Sequence, residues 1–371
     1  MGFLKRLHKG QSAVLNVARV ATFPWLGIAP SAPLMVYIEL TRRCNLQCRH
    51  CDIWKTGENV EGIRKQELSA EALVELFSGL AQRGLVAVDL FGGEPLMRPD
   101  LPEIVSGLKK IGLHVTVTSN GLLLNAKRSQ ALVESGLDQL FISIDAPKAS
   151  LHDDLRGVPG TFERVLAGIR EFQRHNTGSV KVGINSLVCR PTFREIPRMP
   201  AFAHSLGASQ VRLLPYHQCY PFNSWQQDDG LLPRSEDLPE LKRCLDSFQT
   251  EAQIRHLSTN GKSYIEGIPA WFSGTLKKRR CVAGLAVCDI NGFGELFPCY
   301  TSGVPVGSLH DASFEALWSS SAMEAFRRSH EQCNGCWQSC YIEPGMRLDP
   351  RSALTDFRSV LHDLREYFVG R

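Results

Sequence analysis

Met35-Val36-Tyr37-Ile38-Glu39-Leu40 runs almost directly into Cys44-Asn45-Leu46-Gln47-Cys48-Arg49-His50-Cys51. The first stretch is rich in β-formers and reads as a short strand. The second holds three cysteines in eight residues, spaced C-x3-C-x2-C. A loop this short bends three sulfurs toward one face, and thiolates select zinc, copper(I) or iron-sulfur clusters. Structural zinc takes four protein ligands, usually as two separated pairs. Here there are three in one run, with His50 between the last two. A four-iron four-sulfur cluster on three cysteines leaves one iron free for a small molecule, which suits chemistry better than scaffolding. The plainer alternative is three buried apolar cysteines.

Outward from this loop, strand and helix patterns alternate. Helical periodicity covers residues 70–82, 101–110, 129–134, 162–174 and 197–206, and strand character covers 86–91, 114–119, 139–145, 181–188 and 210–215. With the first strand that makes six strands, each followed by a helix, so the expected fold class is α/β, a partial (βα)6 barrel like a portion of a TIM barrel. Ligand sites in such folds gather at the C-terminal strand ends. Those ends are unusual here: Gly92-Gly93-Glu94-Pro95 follows the second strand, Ser119-Asn120-Gly121 the third, and Ser143-Ile144-Asp145 closes the fourth. Each alone is ordinary turn chemistry.

At 371 residues the chain is long enough for two domains. A net charge of +4 is too small to argue for nucleic acid as a partner. No apolar run reaches membrane-spanning length. Nine of the twelve cysteines cluster at 44–51 and 281–340, a pattern of metal ligation rather than of a disulfide framework, so a reducing compartment, the cytoplasm, is expected.

Residues 1–34 form a basic amphipathic leader, with Leu4, Leu7, Val14 and Leu15 among Lys5, Arg6, Lys9 and Arg19. The leader reads either as a helix packed on the main domain or as a membrane-surface helix. A helix is expected at 235–256, with Ser235 as its N-cap. Lys277-Lys278-Arg279-Arg280 is a solvated charge run or a docking patch for an acidic electron donor. Cys281, Cys288, Cys299, Cys333, Cys336 and Cys340 crowd the C-terminal third. A hairpin would bring Cys281 and Cys299 together, and Cys333-x2-Cys336 supplies a second pair, enough for zinc or a cluster.

Cys44, Cys48 and Cys51 match the CxxxCxxC signature, and the chain resembles the radical S-adenosylmethionine (radical SAM) enzymes. In that family the free iron chelates SAM, and one electron from the cluster cleaves SAM to methionine and a 5′-deoxyadenosyl radical that abstracts hydrogen from a substrate carbon. The resemblance implies that Gly92, Gly93, Glu94 and Pro95 bind the SAM amino group and that Ser143 and Asp145 reach its ribose or methionine part. It further implies that Asn120 lines the same cavity and that Arg156 pairs with the SAM carboxylate. Gly183 to Ser186 and Arg212 to Pro215 would pack on adenine, and Tyr216, His217, Cys219 and Tyr220 would face the open mouth.

The segment from Cys281-x-Ala-Gly through Cys299, Val306-Gly307-Ser308-Leu309, Trp318 and Cys333-x2-Cys336 is similar to the twitch and SPASM auxiliary-cluster extensions. That likeness implies an auxiliary four-iron four-sulfur cluster on Cys281, Cys299, Cys333 and Cys336, with Cys340 able to replace one of them and Cys288 either core or spare. The expected organisation is a leader at 1–34, the barrel at 35–256, an α+β auxiliary-cluster domain at 257–350 and a C-terminal helix at 351–371. The expected cofactors are the SAM-binding four-iron four-sulfur cluster, an auxiliary one and S-adenosyl-L-methionine. The expected substrate is a carbohydrate-like or other small molecule that is oxidised or epimerised, with a flavodoxin or ferredoxin as electron donor. A ribosomally made peptide is the second substrate class, and a zinc-stabilised binding protein is the reading from outside enzymology. Cys189 and Cys219 are candidate hydrogen donors.

Overall fold

The computed structural model describes residues 2–56, 67–218, 229–277, 279–330, 333 and 335–347. Its strands are β1 (Met35–Glu39), β2 (Ala87–Phe91), β3 (His114–Ser119), β4 (Gln139–Ser143), β5 (Lys181–Val188), β6 (Gln210–Pro215), β7 (Ser258–Thr259), β8 (Val287–Ile290), β9 (Glu295–Phe297) and β10 (Gly307–Ser308). They form one sheet in the order β10-β9-β8-β1-β2-β3-β4-β5-β6-β7. From β8 to β7 every pairing is parallel, and β9 and β10 are added antiparallel.

Besides a single helical turn at Ile53–Thr56, the helices are α1 (Gly2–Leu26), α2 (Ala70–Gln82), α3 (Leu101–Lys110), α4 (Ala126–Glu134), α5 (Ala149–Arg156), α6 (Thr161–His175), α7 (Met199–Ser205), α8 (Leu238–Ile254), α9 (Lys262–Phe272), α10 (Phe314–Trp318), α11 (Ser321–His330) and α12 (Ser339–Arg347). None is long and apolar enough to cross a membrane. Local chemistry sets their starts. Ser69 accepts from the Ala72 N–H ahead of α2, and Asn125 from the Arg128 N–H ahead of α4. Leu73, Phe77 and Leu80 then place one face of α2 in the core.

Alternation along the strands sorts their side chains. Val36, Ile38, Val88, Leu90, Val115 and Val117 are fully buried beneath the helices. Met35, Tyr37, Ala87, Asp89, Thr116, Gln139 and Arg212 point to the opposite side and line a cavity in the barrel lumen.

The six expected strands are all present. Three features depart from expectation. Strands β7 and β8, both beyond residue 257, flank the six on either side, so the auxiliary segment and the barrel share one sheet. Helix α5, which follows β4 directly, was not anticipated. Ser235 sits inside a 3-10 turn, and α8 begins only at Leu238, with the Asp237 carboxylate accepting from the Arg234 N–H instead. The expected C-terminal helix at 351–371 lies outside the described residues. The leader packs: Ala13, Asn16 and Val20 are buried, and Asn16 donates to the Arg83 carbonyl at 2.8 Å.

Candidate active site

The cysteine loop leaves the C-terminal end of β1 and is clamped on two sides by glycine. Gly93 N–H donates to the Thr41 carbonyl at 2.7 Å and Glu94 N–H to the Arg43 carbonyl at 2.8 Å. A Cβ on Gly93 would stand 2.3 Å from the Arg43 oxygen, and Gly92 has φ +139 with the Thr41 oxygen 2.4 Å from where its Cβ would be. On the other side Gly157, at φ +71, would place a Cβ 2.1 Å from the Gln47 carbonyl. Gln47 N–H donates to Arg156 O and Arg49 N–H to Leu155 O across the same seam. Only glycine permits these approaches. Arg49 adds an ion pair to Asp154.

A buried polar network ties the strand ends to this loop. The Glu94 carboxylate accepts from Ser119 Oγ and Asn120 N–H, both at 2.7 Å, and from Leu96 N–H at 2.9 Å. Burial raises its pKa against those donors. Asn120 donates from its side chain to Asn45 Oδ1, inside the cysteine loop, at 2.7 Å. Arg156 forks onto both oxygens of Asp145 at 2.8 Å and points its remaining nitrogen at Cys48 Sγ, 4.0 Å away. Burial pushes the Asp145 carboxyl up, but Arg156 and the neighbouring histidines outweigh it and its pKa falls. Ser143 ends β4 half-buried in register with Asn185, whose Oδ1 is buried without a partner.

Of the expected SAM contacts, Gly92, Gly93, Glu94, Asn120 and Arg156 are packed on or bonded to the loop of Cys44, Cys48 and Cys51 or its flank, and Asp145 reaches it through Arg156. The role of Asn45 was missed. The acid at the end of an apolar strand, Glu39, was visible but unread. It is fully buried, pairs with Arg42 at 2.9 Å and accepts from Tyr300 at 3.4 Å.

The donor set fits a cluster. Burial, reinforced by Cys48, pushes the Cys44 thiol up to about 12, and burial also raises Cys48 and Cys51. Three thiolates packed this closely need compensating positive charge, which bound iron supplies. Among the described residues no three His, Cys, Asp or Glu side chains close on a single ion.

The second cysteine group converges from separate elements. Cys281, Cys299, Cys336 and Cys340 pack into one apolar cluster with Val20, Val282 and Tyr341. Burial and mutual repulsion raise Cys281 and Cys340 well above the usual thiol range, and burial takes Cys299 to about 12. Cys333 is exposed, accepting from the Gly335 N–H at 3.4 Å. Cys288 packs in the barrel core, away from this group. The β8–β9 hairpin does bring Cys281 and Cys299 together. Tyr300, next to Cys299, packs with Phe297 against Cys44 and Cys51, so the two cysteine groups share one apolar wall.

Tyr216 and His217 do not face an open mouth. Both are buried, and His217 holds the auxiliary segment: its Nδ1 meets the Pro215 carbonyl at 2.6 Å and its Nε2 accepts from Trp337 N–H at 2.8 Å. Cys189 is buried against Thr192 and is no exposed hydrogen donor, while Cys219 and Tyr220 lie outside the described residues. The lumen cavity, about 210 Å³, reaches from the lower strand residues to Cys340.

With this geometry in hand the class is clear. Residues 38–189 match the radical SAM superfamily and residues 281–340 an iron-sulfur cluster-binding domain, SPASM, so the chain belongs to the radical SAM enzymes that carry an auxiliary-cluster extension. Its cofactors are a four-iron four-sulfur cluster, SAM and auxiliary iron-sulfur, and the zinc-stabilised binding protein is set aside.

Among its relatives is an AdoMet-dependent heme synthase of Methanosarcina barkeri (strain Fusaro / DSM 804), 28% identical over 346 residues, covering 86% of this chain and 95% of that protein. A PqqA peptide cyclase of Gluconobacter oxydans (strain 621H) is 26% identical over 342 residues, covering 88% and 90%. In fold the chain is similar to Streptococcus suis SuiB bound to precursor peptide SuiA, with TM-score 0.64 at 16% identity over 91% of this chain and 76% of that one.

Proposed function

We propose that Cys44, Cys48 and Cys51 hold the catalytic cluster and that Gly92, Gly93, Glu94, Pro95, Asn120, Ser143, Asp145 and Arg156 form the wall against which SAM is bound. Cys281, Cys299, Cys336 and Cys340 hold one auxiliary cluster, with Cys333 at its exposed rim. When bound, the cluster and SAM supply a carbon-centred radical for hydrogen abstraction. The chain's residues orient SAM over the loop, exclude water and present the substrate from the lumen. The observation that carries this reading is the loop itself, three buried thiols locked by Gly93 and Gly157 at the barrel's strand ends.

The substrate in this reading is a small molecule that is oxidised or epimerised. A cavity enclosed by the strands supports it, as does the likeness to heme synthases across nearly their whole length. A ribosomally made peptide is the second reading, favoured by the peptide cyclase relative and by the fold shared with peptide-bound SuiB. The electron donor in either case is an acidic flavodoxin or ferredoxin in the cytoplasm. Lys277 and Arg279 are exposed for it, whereas Arg280 is engaged with the carbonyls of Val20 and Ala21 in α1.

Anaerobic reconstitution with iron and sulfide, then dithionite and SAM, tests the core of this reading. Wild type is expected to form 5′-deoxyadenosine, and a variant with Cys44, Cys48 and Cys51 all changed to Ala is expected to form none. Full iron loading without 5′-deoxyadenosine from wild type would remove the enzymatic assignment of this loop.

A further inference from the structure

The lumen holds a cation, Arg212, that makes no hydrogen bond among the described residues and whose opposite charge is the buried carboxylate of Asp89. Arg212 reaches from β6 past β5 and lays its guanidinium over the Phe141 ring of β4, 4.1 Å from the centroid. The residue paired with Phe141 on the intervening strand is Gly183, where a Cβ would stand 2.3 Å from that ring. The glycine therefore makes room for the platform on which Arg212 rests. A guanidinium stacked on a ring keeps its N–H edge fixed and available.

The other charged groups on the cavity wall have partners, and Asp89 is the carboxylate on which the Arg212 charge acts. Glu343 accepts from Asn260 at 2.9 Å and Gly261 N–H at 2.7 Å, and Arg347 stands 3.9 Å from Glu343. His114 faces Asp138 at 3.8 Å, and Asp89 accepts from Thr118 at 3.0 Å. Among the described residues Arg212 makes no hydrogen bond or ion pair. Two residues along β4 from Phe141, on the same face, Gln139 is 3% exposed and its Nε2 is buried without an acceptor.

The cavity wall thus offers two donors that make no hydrogen bond among the described residues, one a guanidinium and one an amide, and a carboxylate has the two acceptor oxygens that complete both. Asp89 shares the chamber, so a single negative charge on the ligand suits it better than the nearly double charge of a phosphate. We propose that Arg212 and Gln139 grip a carboxylate of the substrate in the barrel lumen, which makes the substrate class a carboxylate-bearing molecule. This rests on reading the lumen as the substrate chamber. The carboxylate is either that of a free small acid or an acidic side chain of a peptide.

Ligand-observed NMR on the anaerobically reconstituted, SAM-loaded, full-length enzyme tests the proposal without requiring turnover, so a failed 5′-deoxyadenosine assay and a failed carboxylate site are separate results. One arm compares benzoate with benzamide, the other Ala-Glu-Ala with Ala-Gln-Ala, both N-acetylated and C-amidated so that the Glu side chain is the one carboxylate that differs. Wild type is expected to prefer the acid by about ten- to a hundredfold in at least one arm, the scale of a charge-assisted hydrogen bond. The arm that shows the preference identifies the source.

In Arg212→Gln the preference is expected to collapse to within about twofold, and in Phe141→Leu, which keeps the charge but removes its platform, to fall partway. Iron content and circular dichroism establish that each variant is folded. If Arg212→Gln does not fold, Arg212→Lys, which loses the planar fork, is expected to weaken the preference in its place. Equal binding of acid and amide by wild type in both arms overturns the assignment, as does a preference that survives loss of Arg212 or of its planar fork.

Discussion

The two cysteine groups are built in opposite ways. The catalytic loop carries its three thiols on eight consecutive residues, and its shape comes from backbone carbonyls packed against Gly92, Gly93 and Gly157. The auxiliary group draws Cys281, Cys299, Cys336 and Cys340 from a loop, a hairpin exit, the connector before α12 and α12 itself. The first geometry is written into the chain locally. The second exists only because Tyr341, Trp337 and His217 dock the C-terminal segment onto the barrel. A cage built from close backbone contacts is expected to fail by steric damage, whereas a long-range cage is expected to fail by undocking.

Gly157→Ala is the sharpest way to break the local cage. The new methyl would meet the Gln47 carbonyl at 2.1 Å, in a left-handed backbone that alanine disfavours. A loss of about 2–4 kcal/mol is expected in denaturant unfolding. Catalytic-cluster iron is expected to fall while the auxiliary iron signal persists. Equal loss of both would mean the two cages are not independent.

Acid probes the long-range cage through His217. Burial holds this imidazole down to about 4, against 6.5 in the unfolded chain. It is neutral, with Nε2 accepting from Trp337 and Nδ1–H donating to Pro215. Between these values the unfolded chain binds the extra proton, so the stabilisation is fully present above pH 6.5 and drains as pH falls toward 4. The total is on the order of 3 kcal/mol. His217→Asn is expected to flatten that slope in pH-dependent unfolding of the metal-free chain, and an unchanged slope would assign the docking elsewhere.

Cysteine by cysteine, the smallest effect is expected at the rim. Cys333→Ala, at an exposed position, should cost under about 1 kcal/mol and leave most auxiliary iron in place, whereas Cys340→Ala should remove it, as read by iron analysis and electron paramagnetic resonance. Reversal of that ranking would return the ligand set to the Cys333-x2-Cys336 pair.

Much of this was legible in the chain. The alternation of β and α patterns gave the parallel sheet, and the spacing of Cys44, Cys48 and Cys51 gave the centre, because both are periodicities of a few residues that local geometry must honour. The residues behind the strand ends were also readable as a group, yet their division of labour was not. Glu94 and Asn120 turn inward to hold Ser119 and Asn45, and Arg156 spends its fork on Asp145. Tyr216 and His217 looked like mouth residues because they follow a strand end, but the sequence holds no sign that Trp337, 120 residues on, would bond to His217 or that Leu155, Cys189 and Leu231 would pack around Tyr216.

By itself the sequence determined the strand-loop-glycine arrangement of the catalytic centre, since a short loop and close backbone contacts leave few alternatives. The tertiary structure alone decided which distant cysteines meet. It also placed β8 beside β1, so that one sheet carries both units. Arg212 is brought onto the Phe141 ring and beside the Asp89 charge in the lumen by the same long-range packing. These outcomes depend on contacts between residues far apart in the chain, and no local pattern encodes where such contacts close.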